Sequence, residues 1–360
     1  MTDRRFYQNI QMMRGVAALL VFFVHLFATN PGMVPWLIQT GSNVIGPAGV
    51  DIFFVISGFV VTISAMNSTE GKNRKSSAAT FILRRSARIY PLYFIALTLA
   101  YIASPYIILS PEWMPKASAL QLYTLTYPYN NKLMVAWTLV YEMFFYSVLT
   151  LLILTGKNKF ISSLYIWIAI EVILIVSTNI YDINLSSYVP LNPQIIQFSA
   201  GCIIAILITK NVKQYAKPTF WLGAILFIIM SCINIQIANW ESWARTLTLT
   251  LPAAMLIYGA AAMEEKKLVP FHNVFMWLGK ISFSLYLLHQ LIFDICFFVF
   301  DKLNIMKSAP NTLTLIAWST IALFVANITH KTIEAPSYKF LSGIINSFSF
   351  GKSKKHKAIE

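Results

Sequence analysis

LTLLILT at Leu149–Thr155 and IIAILIT at Ile203–Thr209 decide how this chain is read. They are continuous apolar runs, whereas a membrane barrel strand alternates over about ten residues. Hydrophobic residues make up 57% of the 360 positions and charged residues 12%, roughly half the usual soluble share. A water-soluble fold of this size has no place to hide so much apolar surface. At ~20 residues per span, about ten spans would use ~200 positions, which nearly exhausts the apolar count. The reading is an all-α integral membrane protein, a bundle of about ten transmembrane helices.

Working outward from those runs, spans are expected at Asn9–Ala28, Val44–Met66, Phe81–Ser104, Val135–Thr155, Phe160–Asn179, Pro193–Thr209, Thr219–Ala238, Arg245–Met263, Phe275–Phe300 and Asn311–His330. The longest stretch without a membrane-like run, Ser104 to Val135, is too short for a catalytic domain. Chemistry must sit among the spans or at their ends. With the N-terminus inside, 23 of the 28 lysines and arginines fall on one side. Only Lys116, Lys132, Arg245, Lys302 and Lys307 fall on the other. The positive-inside rule then puts both termini in the cytoplasm. The net charge of +14 therefore reads as topology and not as a nucleic-acid partner. The tail KSKKHK, Lys352–Lys357, adds affinity for anionic membrane lipid.

Arg4 and Arg5 precede GVAALLVFFV as in a signal peptide, but Arg14 and His25 interrupt the run and no clean small-x-small site follows. The cysteines Cys202, Cys232 and Cys296 lie in apolar runs without paired spacing, so neither a metal site nor a disulfide framework is expected. No internal repeat is evident.

Ionisable residues inside spans carry the functional signal, because each costs at least ~2.5 kcal/mol at a helix centre. They are Arg14, His25, Asp51, Glu142, Glu171, His289 and Asp294. Arg14 and His25 are eleven residues apart, about three turns and ~16 Å, so they share a face of the first span. Arg14 lies near the cytoplasmic end and His25 in the outer half. Asp51 begins a span that enters from outside, Glu142 lies about two turns below an outer end, and His289 and Asp294 fall in the middle and outer parts of the ninth span. Several of these groups thus share one depth zone. Each also has a plainer reading: interfacial carboxylates for Asp51 and Asp294, a packing ion partner for Glu171, a hydrogen-bonded core ring for His289.

ILRRSARIYPLYF, Ile82–Phe94, opens the third span with Arg84, Arg85 and Arg88 at the inner surface. Arg84 and Arg88 are four apart on one helical face, with Arg85 beside them. Guanidinium forks bind phosphate bidentately, so the cluster fits a phosphorylated cytoplasmic ligand. Positive-inside anchoring or lipid headgroup contact explains the same residues.

In order and wording the chain resembles the acyltransferase-3 family of membrane proteins that acylate carbohydrates. The matching pieces are Arg14 with His25, GVDIFFVISGF at Gly49–Phe59, RRSARIYP at Arg84–Pro91, WTLVYEMFFY at Trp137–Tyr146, ISFSLYLLH at Ile281–His289, and IEAP at Ile333–Pro336. Thr138 stands where the family often has serine, and Tyr141 precedes a lone Glu142 where it often has paired glutamates. The resemblance implies a transmembrane acyltransferase domain over residues 1–335, a basic cytoplasmic tail over 336–360, and a stand-alone form without an SGNH hydrolase-like domain. It places the protein in the bacterial cytoplasmic (inner) membrane.

The same resemblance implies acetyl-CoA or another acyl-CoA as donor, with no metal, and a carbohydrate or lipid-linked glycan hydroxyl as acceptor. Arg84, Arg85 and Arg88 would hold the CoA phosphates. His25 would act as general base, with Glu142 or Asp51 orienting it and Arg14 contacting the donor or stabilising charge on the thioester oxygen. Trp137, Tyr146, His289 and Ser57 are expected to contact substrate. Direct transfer and an acyl-histidine relay both stay open. A nucleophilic Ser57 is disfavoured, because the nucleophile elbow needs a strand-to-helix turn. Gly49 and Gly58 are expected to permit close helix approach. A proton-coupled transporter or glycan flippase would use a similar intramembrane His, Glu, Asp and Arg set, but the halves show no matching repeats. Trp113, Tyr123, Tyr127 and Tyr129 in the outer segment are either sugar platforms or an interfacial aromatic belt.

Overall fold

The computed structural model describes residues 7–28, 45–71, 73–107, 109, 114–180, 188–237, 243–264, 272–305 and 311–354. Every regular element among them is helical. In chain order these are α1 (Gln8–Ala28), α2 (Gly49–Ser68), α3 (Arg74–Ala103), α4 (Ala119–Thr124), α5 (Trp137–Ile153), α6 (Lys157–Ile180), α7 (Ile195–Thr209), α8 (Ala216–Ile237), α9 (Trp243–Ala262), α10 (His272–Lys302), α11 (Asn311–Thr329) and α12 (Ala335–Lys354). A helix stands at each of the ten expected spans. Among the described residues, eight helices are long and apolar enough to cross a membrane. Of the other two, α7 has only 15 residues, ~22 Å against a ~30 Å hydrocarbon core; α9 carries Arg245 and Pro252.

The outer surface is what a lipid solvent demands. On α6, Ile166, Ile170 and Ile173 lie on one face and are 61%, 50% and 63% exposed. Ile225 on α8 and Phe324 on α11 are similarly bare. Water would not tolerate such stripes; acyl chains do. The chain is a multi-pass membrane protein.

Inside, α2 is the central helix and packs on α1, α3, α5, α7 and α9. Small residues bring it close, as expected for Gly49 and Gly58. A Cβ on Gly58 would run into the Phe198 backbone of α7, and one on Gly201 into the Val55 carbonyl. Phe53 of α2 packs against all three hydrophobic clusters and marks where they meet.

The pairing of α1 with α10 follows the same rule. A Cβ on Gly15 would meet the Phe275 carbonyl and the Gly279 nitrogen, and one on Gly279 the Gln11 carbonyl. Ten residues further along both helices His25 meets His289, Nδ1 to Nε2, at 3.0 Å. Equal spacing on both helices means that they run parallel and in register. The glycine crossing therefore sets the histidine contact.

Segments that charge assigned to one membrane side meet one another here. The Glu264 carboxylate, just past α9, accepts from the Gln8 and Asn9 backbone N–H groups and so caps the start of α1. Burial pushes that carboxyl above its usual pKa, and the two N–H donors pull it back. Lys157 at the start of α6 pairs with Glu70 after α2 at 3.2 Å.

Two boundaries differ from the sequence reading. The third helix starts at Arg74, not near Phe81, because Asn73 caps it by accepting from the Ser76 N–H at 3.1 Å. Hydropathy reports where a helix enters lipid, whereas the cap reports where it begins. The segment read as a tail from residue 336 is helix α12, joined to α11 by a π-helical turn at His330–Glu334 and packed on α3. Residues 355–360, including Lys355 and Lys357, lie outside the described residues, as does Trp113.

The glycine crossing gives a test. Gly279→Val should lower folded, membrane-inserted protein and its thermal midpoint, since overpacking costs about 1–3 kcal/mol. Gly343→Val serves as the control, because Gly343 has nothing within 4 Å of an added Cβ.

Candidate active site

A cavity of about 810 Å³, its mouth included, opens between α1, α2, α3, α5 and α10. Cations mark one end of it. Arg14 comes from α1, and Arg85 and Arg88 come from α3 one turn apart. The Arg85 guanidinium lies 5.5 Å from the Phe81 ring centre and 5.9 Å from that of Tyr146. Arg14 Nη1 donates to Gln11 Oε1 at 3.5 Å. Among the described residues, none of these three arginines forms an ion pair. The carboxylate that shares the cavity, Glu142, accepts from Ser57 Oγ at 2.7 Å and from Tyr146 OH at 2.9 Å. Three cations line the cavity with one carboxylate, and Glu334 lies close enough to act on Arg14 and Arg88 from outside the lining; the balance is still positive and suited to guanidinium–phosphate forks.

Thr138 and Tyr286 also line the cavity, and Tyr286 stands about two turns along α10 from Gly279, the level at which α1 carries Arg14. Tyr286 OH donates to the Val135 carbonyl at 2.9 Å and lies 3.0 Å from Thr138 Oγ1. The Tyr286 ring centre is 6.1 Å from that of His289. His289, 1% exposed, packs also on Phe22 and Phe293. Arg85 and Tyr286 line the same cavity, and Tyr286 in turn lies beside the histidine pair, near the C-terminal end of α1.

Of the expected site residues, Arg14, Ser57, Arg85, Arg88, Glu142 and Tyr146 line the cavity, whereas His25, His289, Asp51, Arg84 and Trp137 are not part of its lining. His25 does not find its partner in Glu142 or Asp51. Glu142 holds Ser57 and Tyr146, and Asp51 is 1% exposed and ion-paired with Arg245 of α9. Gln197 of α7 also donates to Asp51, and Arg245 donates to the Pro47 carbonyl at 3.3 Å. Asp51 is therefore not a solvated interfacial group, and its partners are Arg245 and Gln197 and not His25; it locks α2 to α7 and α9. Arg84 turns away from Arg85 and Arg88 and donates to Asn346 of α12. Trp137 packs edge-on to Phe54 and Tyr141, outside the cavity lining. Ser57 lies within helix α2 with its hydroxyl on Glu142. Glu171 bonds Trp167, and Asp294 bonds Gln290, each on its own helix.

Sequence reasoning missed Tyr286, although it stands in the ISFSLYLLH motif. It also missed Gln197 and Arg245 as partners of Asp51, because nothing local links three helices so distant in sequence. Glu334 was visible in IEAP without a role; it accepts from Ser284 Oγ at 2.6 Å and meets His330 Nδ1 at 3.1 Å. Among the described residues no group of three His, Cys, Asp or Glu side chains comes together as a metal site would need.

A bundle of apolar helices around an arginine-lined cavity describes a membrane protein with a positively charged chamber inside its own span. The family model described as "Acyltransferase domain" of acyltransferase-3 type matches residues 7–329. The chain belongs to this family and is an acyltransferase. It is 26% identical over 268 residues to the exopolysaccharide production protein ExoZ of Rhizobium meliloti, covering 70% of this chain and 78% of that protein. It is 24% identical over 410 residues to the peptidoglycan O-acetyltransferase OatA of Listeria monocytogenes, covering 98% of this chain and 59% of that protein. Nodulation protein 10 of Rhizobium leguminosarum is 29% identical over 170 residues, covering 40% of this chain and 44% of that protein. No solved structure matches the chain.

The Asp51 contacts predict a stability phenotype, not a selective loss of catalysis. Removing one partner of a buried pair costs about 3–5 kcal/mol. Asp51→Ala and Arg245→Ala should each lower the thermal midpoint in detergent and the folded yield in step with activity. A well-folded Asp51→Ala protein without activity would return Asp51 to the catalytic set.

Proposed function

We propose that this acyltransferase moves an acyl group, acetyl in the simplest case, from cytoplasmic acyl-CoA to a hydroxyl of a surface glycan or lipid-linked glycan precursor. The observation that carries this reading is the cavity, lined by Arg14, Arg85 and Arg88, which form no ion pair among the described residues, and by Tyr286, which lies beside the histidine pair. Support for a glycan acceptor comes from the relatives named for exopolysaccharide production and for peptidoglycan O-acetylation. The excess of basic residues on one side supports both termini in the cytoplasm of a bacterial inner-membrane protein.

In this reading the donor enters from the side where α3 carries its arginines. Arg85 and Arg88 take its phosphates, and Arg14 faces the same cavity. Stacked on Phe81 and Tyr146, Arg85 is held in place before the ligand arrives, so little side-chain entropy is lost on binding. The pantetheine arm runs along the apolar wall of Phe53, Phe54 and Phe283 and delivers the thioester to Tyr286. The acceptor comes from the opposite side, and His25 takes the proton of its hydroxyl. A neutral imidazole suits that task near pH 7. Glu142 serves the cavity rather than the base: it fixes Tyr146 under Arg85 and offsets part of the positive charge when no donor is bound.

Two results follow. Arg85→Ala or Arg88→Ala should raise the KM for acetyl-CoA about 10- to 150-fold, since a bond to a charged group contributes about 1.5–3 kcal/mol. The acceptor KM should change far less. Arg84→Ala should leave the acetyl-CoA KM near the wild-type value, because that side chain belongs to the α12 contact. His25→Ala should reduce label transfer from acetyl-CoA to glycan by about 10²–10⁴-fold at unchanged abundance and unchanged acetyl-CoA binding. Movement of an unmodified glycan across vesicles, with no label transferred, would instead establish a flippase.

A further inference from the structure

Both rings of the α1–α10 contact have neighbours that fix where their protons sit. His289 Nδ1 lies 3.0 Å from the Leu285 carbonyl oxygen. A carbonyl oxygen only accepts, so neutral His289 carries its proton on Nδ1 and keeps a lone pair on Nε2. That Nε2 is 3.0 Å from His25 Nδ1. The Val21 carbonyl, which also only accepts, is 2.9 Å from the same His25 nitrogen. Two acceptors converge on one atom. His25 therefore carries its proton on Nδ1, and its basic lone pair belongs to Nε2.

We propose that His289 is the positioning residue of the reaction: together with the Val21 carbonyl it keeps the His25 proton on Nδ1, it fixes the ring plane, and it stabilises the imidazolium that forms during transfer. The proposal rests on the reading of His25 as the base. As the acceptor oxygen bonds to the thioester carbonyl carbon, its proton passes to His25 Nε2. The carbon–sulfur bond then breaks, and the departing thiolate takes the proton back from Nε2. The products are the ester, the free CoA thiol and neutral His25. Throughout, His25 Nδ1–H is shared between the Val21 carbonyl and His289 Nε2; in the imidazolium state these bonds are charge-assisted and roughly twice as strong.

The arrangement parallels the buried carboxylate that orients the base of a serine-hydrolase triad. A neutral ring does the same work here without a permanent charge inside the span, where such a charge is expensive. His289 is suited to support more than to substrate contact. It is 1% exposed, and the Phe22, Tyr286 and Phe293 ring centres lie 6.2, 6.1 and 5.9 Å from its own. Those rings and the Leu285 carbonyl leave it one orientation. The Gly15–Gly279 crossing, ten residues below on both helices, sets the distance to His25.

The test uses the full-length protein in lipid nanodiscs with radiolabelled acetyl-CoA and the glycan fraction of the producing cells. His289→Phe keeps the ring volume and loses the acceptor. His289→Gln places an amide oxygen near the former Nε2. The Phe variant is expected to fold and bind acetyl-CoA within threefold of wild type, with kcat lower by about 10²-fold or more. The Gln variant is expected to recover at least tenfold of that loss. If His289→Phe does not reach the membrane, His289→Asn, whose shorter amide does not reach His25 Nδ1, takes its place against His289→Gln. Wild-type kcat in the Phe or Asn variant, with His25→Gln inactive, overturns the positioning role and leaves the base reading standing. Equal losses in the Gln variant and its partner also overturn it. Near-wild-type turnover by His25→Gln overturns the base reading itself.

Discussion

The site depends on the parallel, in-register crossing of α1 and α10. Without a Cβ at Gly15 and Gly279 the two backbones approach closely enough that side chains ten residues on share a hydrogen bond. In lipid, helix association has little hydrophobic drive and relies on close van der Waals fit. Register set by glycines is therefore also chemistry set by glycines. Arg14, next to Gly15, is carried by the same crossing into the cavity, and Tyr286, one turn before His289, closes the cavity against the histidine pair.

Charge is distributed with equal economy. Asp51 and Arg245 neutralise each other deep in the bundle, and Gln197 completes the carboxylate's coordination. This pair is structural, and it frees the catalytic region from supplying that carboxylate. The cavity keeps its three arginines without ion pairs among the described residues. Leaving cations in that state inside a membrane protein is costly, and in the proposed function the phosphates of the donor supply the missing anions. Phe81 and Tyr146 hold Arg85 by their ring faces meanwhile, which retains its hydrogen-bonding fork for the ligand.

The sequence shows the helices plainly, because a 57% apolar chain leaves few alternatives. It also shows Arg14, His25, Arg85, Arg88 and Glu142, since an ionisable group in a span stands out against its surroundings. What it hides is pairing. Helical spacing relates residues three or four apart, as in Gln290 with Asp294, but says nothing about Asp51 finding Arg245 almost two hundred positions away. For the same reason the resemblance led to a carboxylate beside His25, where the bundle supplies His289. Arg84 illustrates the limit of face arithmetic: four residues from Arg88, it still turns to α12, because that helix offers Asn346 and no one-dimensional pattern announces the contact.

Density for a bound donor tests the central claim most directly. The protein would be imaged by cryo-electron microscopy with a thioether analogue of acetyl-CoA that binds without transferring its group. The account predicts its phosphates within hydrogen-bond reach of Arg85 and Arg88, its pantetheine arm along Phe53 and Phe54, and its acyl end beside Tyr286 at the histidine pair. An analogue seated outside the arginine-lined cavity, or bound there with its acyl end turned away from His25, would contradict it.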